Sequence, residues 1–285
     1  MKITTIEVAG PGEGPYGVLV HGGAVWTTLV HAGAVLRVGD DHAVERFHLG
    51  APGSAPSVLA AGPDGAVWFT RSGDRALGRI DPMGQISVVP TNAGTPYGLC
   101  PTSDGLWFTV MDADSVGHVD AGGAVTQYPI GVAQSFPAMI TGRGDTVWFT
   151  LNSAGAIGCK RGDDVTIVPL PTEAAGPVGI SAGPEVVWFT ELLAGTLGTI
   201  DDAGHVREFP LPDRASKPHA VAATSDGGCW ATLWGSGSVV RVDAVGQLVG
   251  EYALGDNSEP HGLALADDGS VWVALETGFL AHLEP

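Results

Sequence analysis

Two histidines and two glutamates stand out by type and by spacing. Glu259-Pro260-His261-Gly262 sets an acid, a proline and an imidazole in a row near the end of the chain. Lys217-Pro218-His219-Ala220 has the same Pro-His pair 42 residues earlier, and Glu276 follows His261. Imidazole nitrogen together with carboxylate oxygen is a donor set for a divalent metal. An imidazole is also a general base whose ordinary pKa lies near neutrality. Residue type and spacing leave three options open: a metal site, an acid–base site, or both. Proline fixes its own φ and restrains the residue before it, so Glu259 is expected to be extended and His261 to leave a stiff corner.

The elements that must position these side chains are read from an internal repeat. Trp26, Trp68, Trp107, Trp148, Trp188, Trp230 and Trp272 are separated by 42, 39, 41, 40, 42 and 42 residues. Pro15, Pro56, Pro96, Pro137, Pro177, Pro218 and Pro260 keep the same period, and Trp234 falls outside the register. One unit reads as four short strands broken by Gly, Asp and Pro turns: Pro96-Tyr97-Gly98-Leu99, then Trp107-Phe108-Thr109, then Ser115 to Val119, then Ala124 to Pro129. Four strands per repeat of ~40 residues is the rhythm of a β-propeller. The expected fold is therefore all-β: a seven-bladed β-propeller forming a single domain over residues 1–285. The last unit ends on a third strand at Leu280-Ala281-His282-Leu283, and Ile3 to Val8 has the pattern of a fourth. The N-terminal strand is expected to complete the last blade, which removes two open edges. The recurrent Trp-Phe-Thr runs are read as packing between blades, because function should appear where repeats differ.

The repeats differ at the mouth. The slot after the repeat proline holds Tyr16, Ser57, Tyr97, Ala138, Val178, His219 and His261. The slot before it holds Gly14, Ala55, Thr95, Phe136, Gly176, Lys217 and Glu259, and the fourth position past the tryptophan ends with Trp234 and Glu276. In an antiparallel blade the first strand starts where the second ends. His219, His261, Glu259 and Glu276 are thus expected to converge at one mouth of the central channel. Tyr16 and Tyr97 occupy the histidine slot of other blades and should edge the same mouth. Phe136 and Trp234 could add an apolar wall for a substrate. Arg71, Glu191 and Lys217 are read as rim charges. His21, His31, His42, His48, His118, His205 and His282 lie outside these slots and are read as surface or turn residues.

Composition narrows the partners. With 13 basic and 31 acidic residues the formal net charge is −18. That disfavours nucleic acid, which is bound through clustered Lys and Arg, and an anionic membrane surface. No apolar run is long enough to span a bilayer. Cys100, Cys159 and Cys229 are odd in number and lack metal-type spacing, which suits reduced thiols in a cytoplasmic protein. Met1 to Gly10 has no secretory pattern. A closed ring has no obligatory edge for pairing, so a monomer is expected.

Seven units of Pro-x-Gly, Trp-Phe-Thr and Gly-x-Ile type, with Lys217-Pro218-His219-Ala220, Trp234-Gly235, Glu259-Pro260-His261-Gly262 and Glu276 in the last two, resemble the virginiamycin B lyase (streptogramin B lyase) family along the whole chain. The sequence departs from the pattern at Ser57-Val58 and Ala138-Met139, which lack the glycine, and at Thr27 and Ala231, which replace the second aromatic. The resemblance implies a Mg²⁺-dependent lyase that linearises cyclic depsipeptide antibiotics by elimination at the threonine ester. It implies His261 as the base, with His219, Glu259 and Glu276 around the metal, although the two histidines could exchange roles. The ligand types alone would also admit Mn²⁺ or Zn²⁺. Two other functions compete: a propeller hydrolase or lactonase on a related ester, and a non-catalytic binding platform.

Overall fold

A computed structural model describes residues 1–91 and 94–285. The strands form seven four-stranded antiparallel sheets, six of them in plain sequence order. The seventh runs Lys2–Glu7, Phe279–Glu284, Val271–Leu275, Pro260–Leu265 from rim to centre. The N-terminal strand closes the last blade in register, Lys2 opposite Glu284 through Glu7 opposite Phe279. The expected seven-bladed propeller is the observed fold. We number blades 1 to 7 by their prolines, Pro15 to Pro260.

The repeat residues explain themselves as inter-strand packing. In blades 2 to 5 the Phe of Trp-Phe-Thr faces a glycine on the third strand: Phe69 on Gly78, Phe108 on Gly117, Phe149 on Gly158 and Phe189 on Gly198. A Cβ on Gly117 would sit 2.1 Å from the Phe108 ring. Where the second aromatic is missing, the glycine is missing too: Thr27 faces Leu36, Ala231 faces Val240 and Val273 faces Ala281. Volume is exchanged across the strand pair.

The threonine of the repeat has a different task. Each inner strand is bulged just after its proline, for example between Pro260 and Leu263. The bulge leaves a backbone N–H without a strand partner and turns the residue after the proline inward. The threonine hydroxyl accepts that N–H and donates to a carbonyl of the following blade. Thr28 accepts from Gly17 N at 2.8 Å and donates to Ser57 O at 2.7 Å. Thr190 donates to His219 O at 2.9 Å, and Thr232 donates to His261 O at 2.8 Å. Six hydroxyls thus staple the inner ring, and blade 7 carries Ala274 in that place.

Two expectations about side chains are corrected. Arg71 and Glu191 are not rim charges: they are 4% and 0% exposed, in a slot that other blades fill with Leu or Val. Arg71 is neutralised by Asp74, whereas neither carboxylate oxygen of Glu191 has a hydrogen-bond partner. His118 and His282 are not turn residues: they pack on the blade tryptophans, Trp107 at 4.6 Å and Trp272 at 4.0 Å between ring centroids.

Candidate active site

At the mouth each blade ends in the same loop neck. The residue before the proline accepts a backbone hydrogen bond from the fourth residue past the tryptophan, as in Trp234 N to Lys217 O at 3.1 Å and Glu276 N to Glu259 O at 3.2 Å. In six blades a left-handed residue closes this neck, while Thr95 of blade 3 makes the same bond without one. Glu259 has φ 49°, Lys217 52°, Phe136 50° and Ala55 45°, and Gly14 and Gly176 serve in blades 1 and 5. The expected extended Glu259 is therefore overturned. Proline bars the right-handed region to its predecessor, and the neck hydrogen bond selects the left-handed one.

The bulge aims Tyr16, Tyr97, His219 and His261 into one group. The His219 and His261 rings meet edge to face at 4.8 Å. Tyr16 lies against His261 at 4.4 Å, with its hydroxyl paired to the Tyr97 hydroxyl and 3.3 Å from His219 Nε2. Trp234 stands 6.3 Å from the His261 ring, and the Lys217 ammonium caps the Trp234 ring at 4.6 Å. Beneath the rings the channel opens into a cavity of about 200 Å³, walled by Leu59, Leu99, Ile140, Ile180 and Leu263. Tyr16, Tyr97, His219, His261 and Trp234 thus come together at one mouth, and Phe136 is exposed.

His261 Nε2 lies 2.6 Å from Glu276 Oε2, and the other oxygen of that carboxylate is 2.9 Å from His31 Nε2. His31 reaches the site from blade 1 and is a member that sequence reasoning read as a surface residue. A signal was present: His31 is the fifth residue past Trp26, one place beyond the slot compared, and the only imidazole in that position.

Burial lowers the pKa of both channel histidines. His219 is pushed down to about 3, by burial first and by the charge of His261 second. His261 is also lowered by burial, but the hydrogen bond and the charge of Glu276 oppose the shift. Tyr16 is raised well above the ordinary phenol range by burial, so it stays a neutral hydroxyl. Glu276 is held below the usual carboxylate range: burial acts upward and is outweighed by the hydrogen bonds from His31 and His261. The result is one imidazole paired to a carboxylate and a second that remains neutral.

The three expected metal ligands, His219, Glu259 and Glu276, are not assembled as a group. Among the described residues no three His, Cys, Asp or Glu side chains are disposed to hold an ion together. His219 faces Tyr16 and His261, and both Glu276 oxygens are taken by imidazoles. What remains is a pair of carboxylates, Glu259 and Glu276, on one loop neck; each carboxylate oxygen has a second lone pair, so the imidazole contacts leave Glu276 able to meet a cation. Two hard oxygen donors suit Mg²⁺, which keeps most of its waters and takes one or two carboxylates. The carboxylate pair fits that ion, and His219 stands outside it.

Residues 1–283 match the model of the virginiamycin B lyase family. A virginiamycin B lyase of Nocardia farcinica is 42% identical over 226 residues, 78% of either chain. A solved streptogramin B lyase superposes with a TM-score of 0.94 at 30% identity, covering 99% of this chain and 97% of the other. A catalytically inactive histidine-to-alanine variant of virginiamycin B lyase from Staphylococcus aureus, solved with quinupristin, superposes with a TM-score of 0.92 at 30% identity over 100% and 99% of the two chains.

Proposed function

The chain belongs to the virginiamycin B lyase family, and from that premise we propose that it opens streptogramin B depsipeptides by eliminating the threonine ester, with His261 as the base. The observation that carries this is the His261–Glu276 pair facing an inward ring of Tyr16, Tyr97 and His219. The enzyme class is a carbon–oxygen lyase.

Neutral His261 donates Nε2–H to Glu276 and accepts the α-proton of the threonine residue at its other ring nitrogen, Nδ1, which has no hydrogen-bond partner. The electron pair of that C–H bond forms the Cα–Cβ double bond. The Cβ–O bond breaks, and the ester carboxyl departs as a carboxylate. No water is consumed. The imidazolium that forms keeps its Nε2–H on Glu276 Oε2 at 2.6 Å, so its positive charge is held by a charge-assisted hydrogen bond. His219, neutral at working pH, and the Tyr16 hydroxyl offer polar contacts to the bound ring. Trp234 and the apolar channel wall accept side chains of the depsipeptide. Glu259 and Glu276 would hold Mg²⁺, which when bound supplies Lewis-acid stabilisation of the carboxylate leaving group.

Incubation of the protein with a streptogramin B, with and without EDTA and read by mass, tests the reading. The expected product is linear, has the mass of the cyclic substrate, and fails to form in EDTA. A product heavier by one water would make the enzyme a hydrolase. Unchanged substrate in the presence of added Mg²⁺ would leave a non-catalytic propeller.

A further inference from the structure

We propose that His31 is a positioning residue: its imidazole holds the Glu276 carboxylate in the orientation from which it serves His261. The inference rests on the functional reading above. Glu276 is gripped at Oε1 by His31 at 2.9 Å and presents Oε2 to His261 at 2.6 Å. Neutral His261 donates Nε2–H to Oε2, which fixes its tautomer and leaves the lone pair on the other ring nitrogen. His31, donating Nε2–H to Oε1, keeps the carboxylate from turning away from that contact. When His261 becomes an imidazolium, Oε2 is already where its Nε2–H points.

The loop of blade 1 is cut to make this reach. The residue before the proline and the fifth residue past the tryptophan are the two variable positions to compare at each neck. In five blades a side chain precedes the proline and a small or short residue lies opposite: Ala55 and Gly73, Thr95 and Asp112, Phe136 and Ser153, Lys217 and Gly235, Glu259 and Thr277. Blade 1 reverses the pair, with Gly14 below His31. A Cβ at Gly14 would lie 2.6 Å from His31 Cδ2 and 3.2 Å from His31 Nε2, so the imidazole occupies the space of the missing side chain. The His31 backbone is fixed there by donation to Glu13 O at 3.2 Å. Blade 5 has the same reversal with Gly176 beneath Leu193, which has no donor to offer. An ionisable donor in the reversed arrangement therefore occurs once, beside the catalytic blade.

Steady-state linearisation of a streptogramin B by the full chain and by His31→Ala, His31→Gln and Gly14→Ala tests the proposal, with Tm recorded for each. His31→Ala should lower kcat about tenfold, the effect of losing one charge-assisted hydrogen bond, while KM stays within about twofold. Tm should be unchanged, because the His31 side chain is 54% exposed. His31→Gln retains an N–H donor and should recover most of kcat. Gly14→Ala keeps the imidazole but displaces it, and should fall with His31→Ala. An unaltered kcat in His31→Ala overturns the proposal, as does a glutamine variant no better than alanine. If the wild-type chain itself leaves the substrate cyclic, the functional reading fails and takes this inference with it; active wild type with indifferent variants sinks the inference alone.

Discussion

His219 and His261 lie 4.8 Å apart in slots of the same kind, yet their neighbours divide their work. Both are lowered by burial, but only His261 has a carboxylate within hydrogen-bond reach to support its charged form. A base must be able to take a proton, and His219, with a pKa of about 3, cannot do so at working pH. His261→Ala should therefore cost about 10²–10⁴-fold in kcat, whereas His219→Ala should act mainly on KM. The pH profile follows from the same shift. His261 must be neutral to act, so kcat/KM falls as pH drops through its pKa. Because burial lowers that pKa below the ordinary imidazole value of 6.5, the profile should be level down to about that pH and fall only below it. An acid limb with its midpoint above 6.5 would remove His261 from the role. His219, His261, Glu259 and Glu276 were legible as departures from a repeat. His31 was not, because its reach depends on the glycine opposite and on the neighbouring blade, neither of which a slot-by-slot comparison weighs.

The inner strand carries the proposed base, but the threonine of the blade before fixes it. Thr232 accepts Ala220 N at 2.9 Å and donates to His261 O at 2.8 Å, so the backbone of the base in blade 7 is tied to blade 6. Thr232→Val keeps the shape and removes both bonds. It should cost about 1–3 kcal/mol of stability, because a buried N–H and a buried carbonyl are left unmet. Thr28→Val removes the equivalent pair from Gly17 N and Ser57 O and should cost a similar amount. Only the first should also lower kcat, since only the first releases His261; equal kcat in the two variants, at matched loss of Tm, would deny the staple a catalytic role. Strand number, order and blade count were readable because Trp, Pro and Thr recur at fixed intervals. The bulge and the left-handed neck were not. Each is a backbone choice tied to a hydrogen bond between distant residues, Thr232 to Ala220 N across the bulge of blade 6 and Glu276 N to Glu259 O across the neck, and pre-proline stereochemistry alone pointed Glu259 the wrong way.

The ring is closed in the blade that carries the proposed base, His261. The N-terminal strand pairs with Phe279–Glu284, and Val8 N and Ala9 N both donate to Gly278 O, two residues from Glu276. Blade 7 also lacks a threonine staple toward blade 1; there Gly262 lets the strands approach, since a Cβ would meet Tyr16 O at 2.6 Å. Stability of the whole ring should therefore be read against pH by separate groups. Asp64, Asp104, Asp112, Asp114 and Asp226 are held below their ordinary pKa, so the stability they add is present above about pH 4 and lost on acidification. Glu191 acts in the opposite direction. Burial first, and the nearby Glu208 carboxylate second, raise its pKa from 4.5 to about 8. The folded state keeps a proton that the unfolded state releases above pH 4.5, so the contribution is whole below that pH and drains away as pH rises through about 8. The loss at the alkaline end is on the order of a few kcal/mol. Four blades place leucine in this slot, at Leu29, Leu151, Leu233 and Leu275, and all four are buried. Glu191→Leu should accordingly leave Tm little changed at pH 5 and raise it at pH 8.5, flattening the alkaline slope measured by thermal melts across that range. A variant whose melting curve keeps the wild-type slope would mean that Glu191 is ionised in the native ring and that another group sets its alkaline limit.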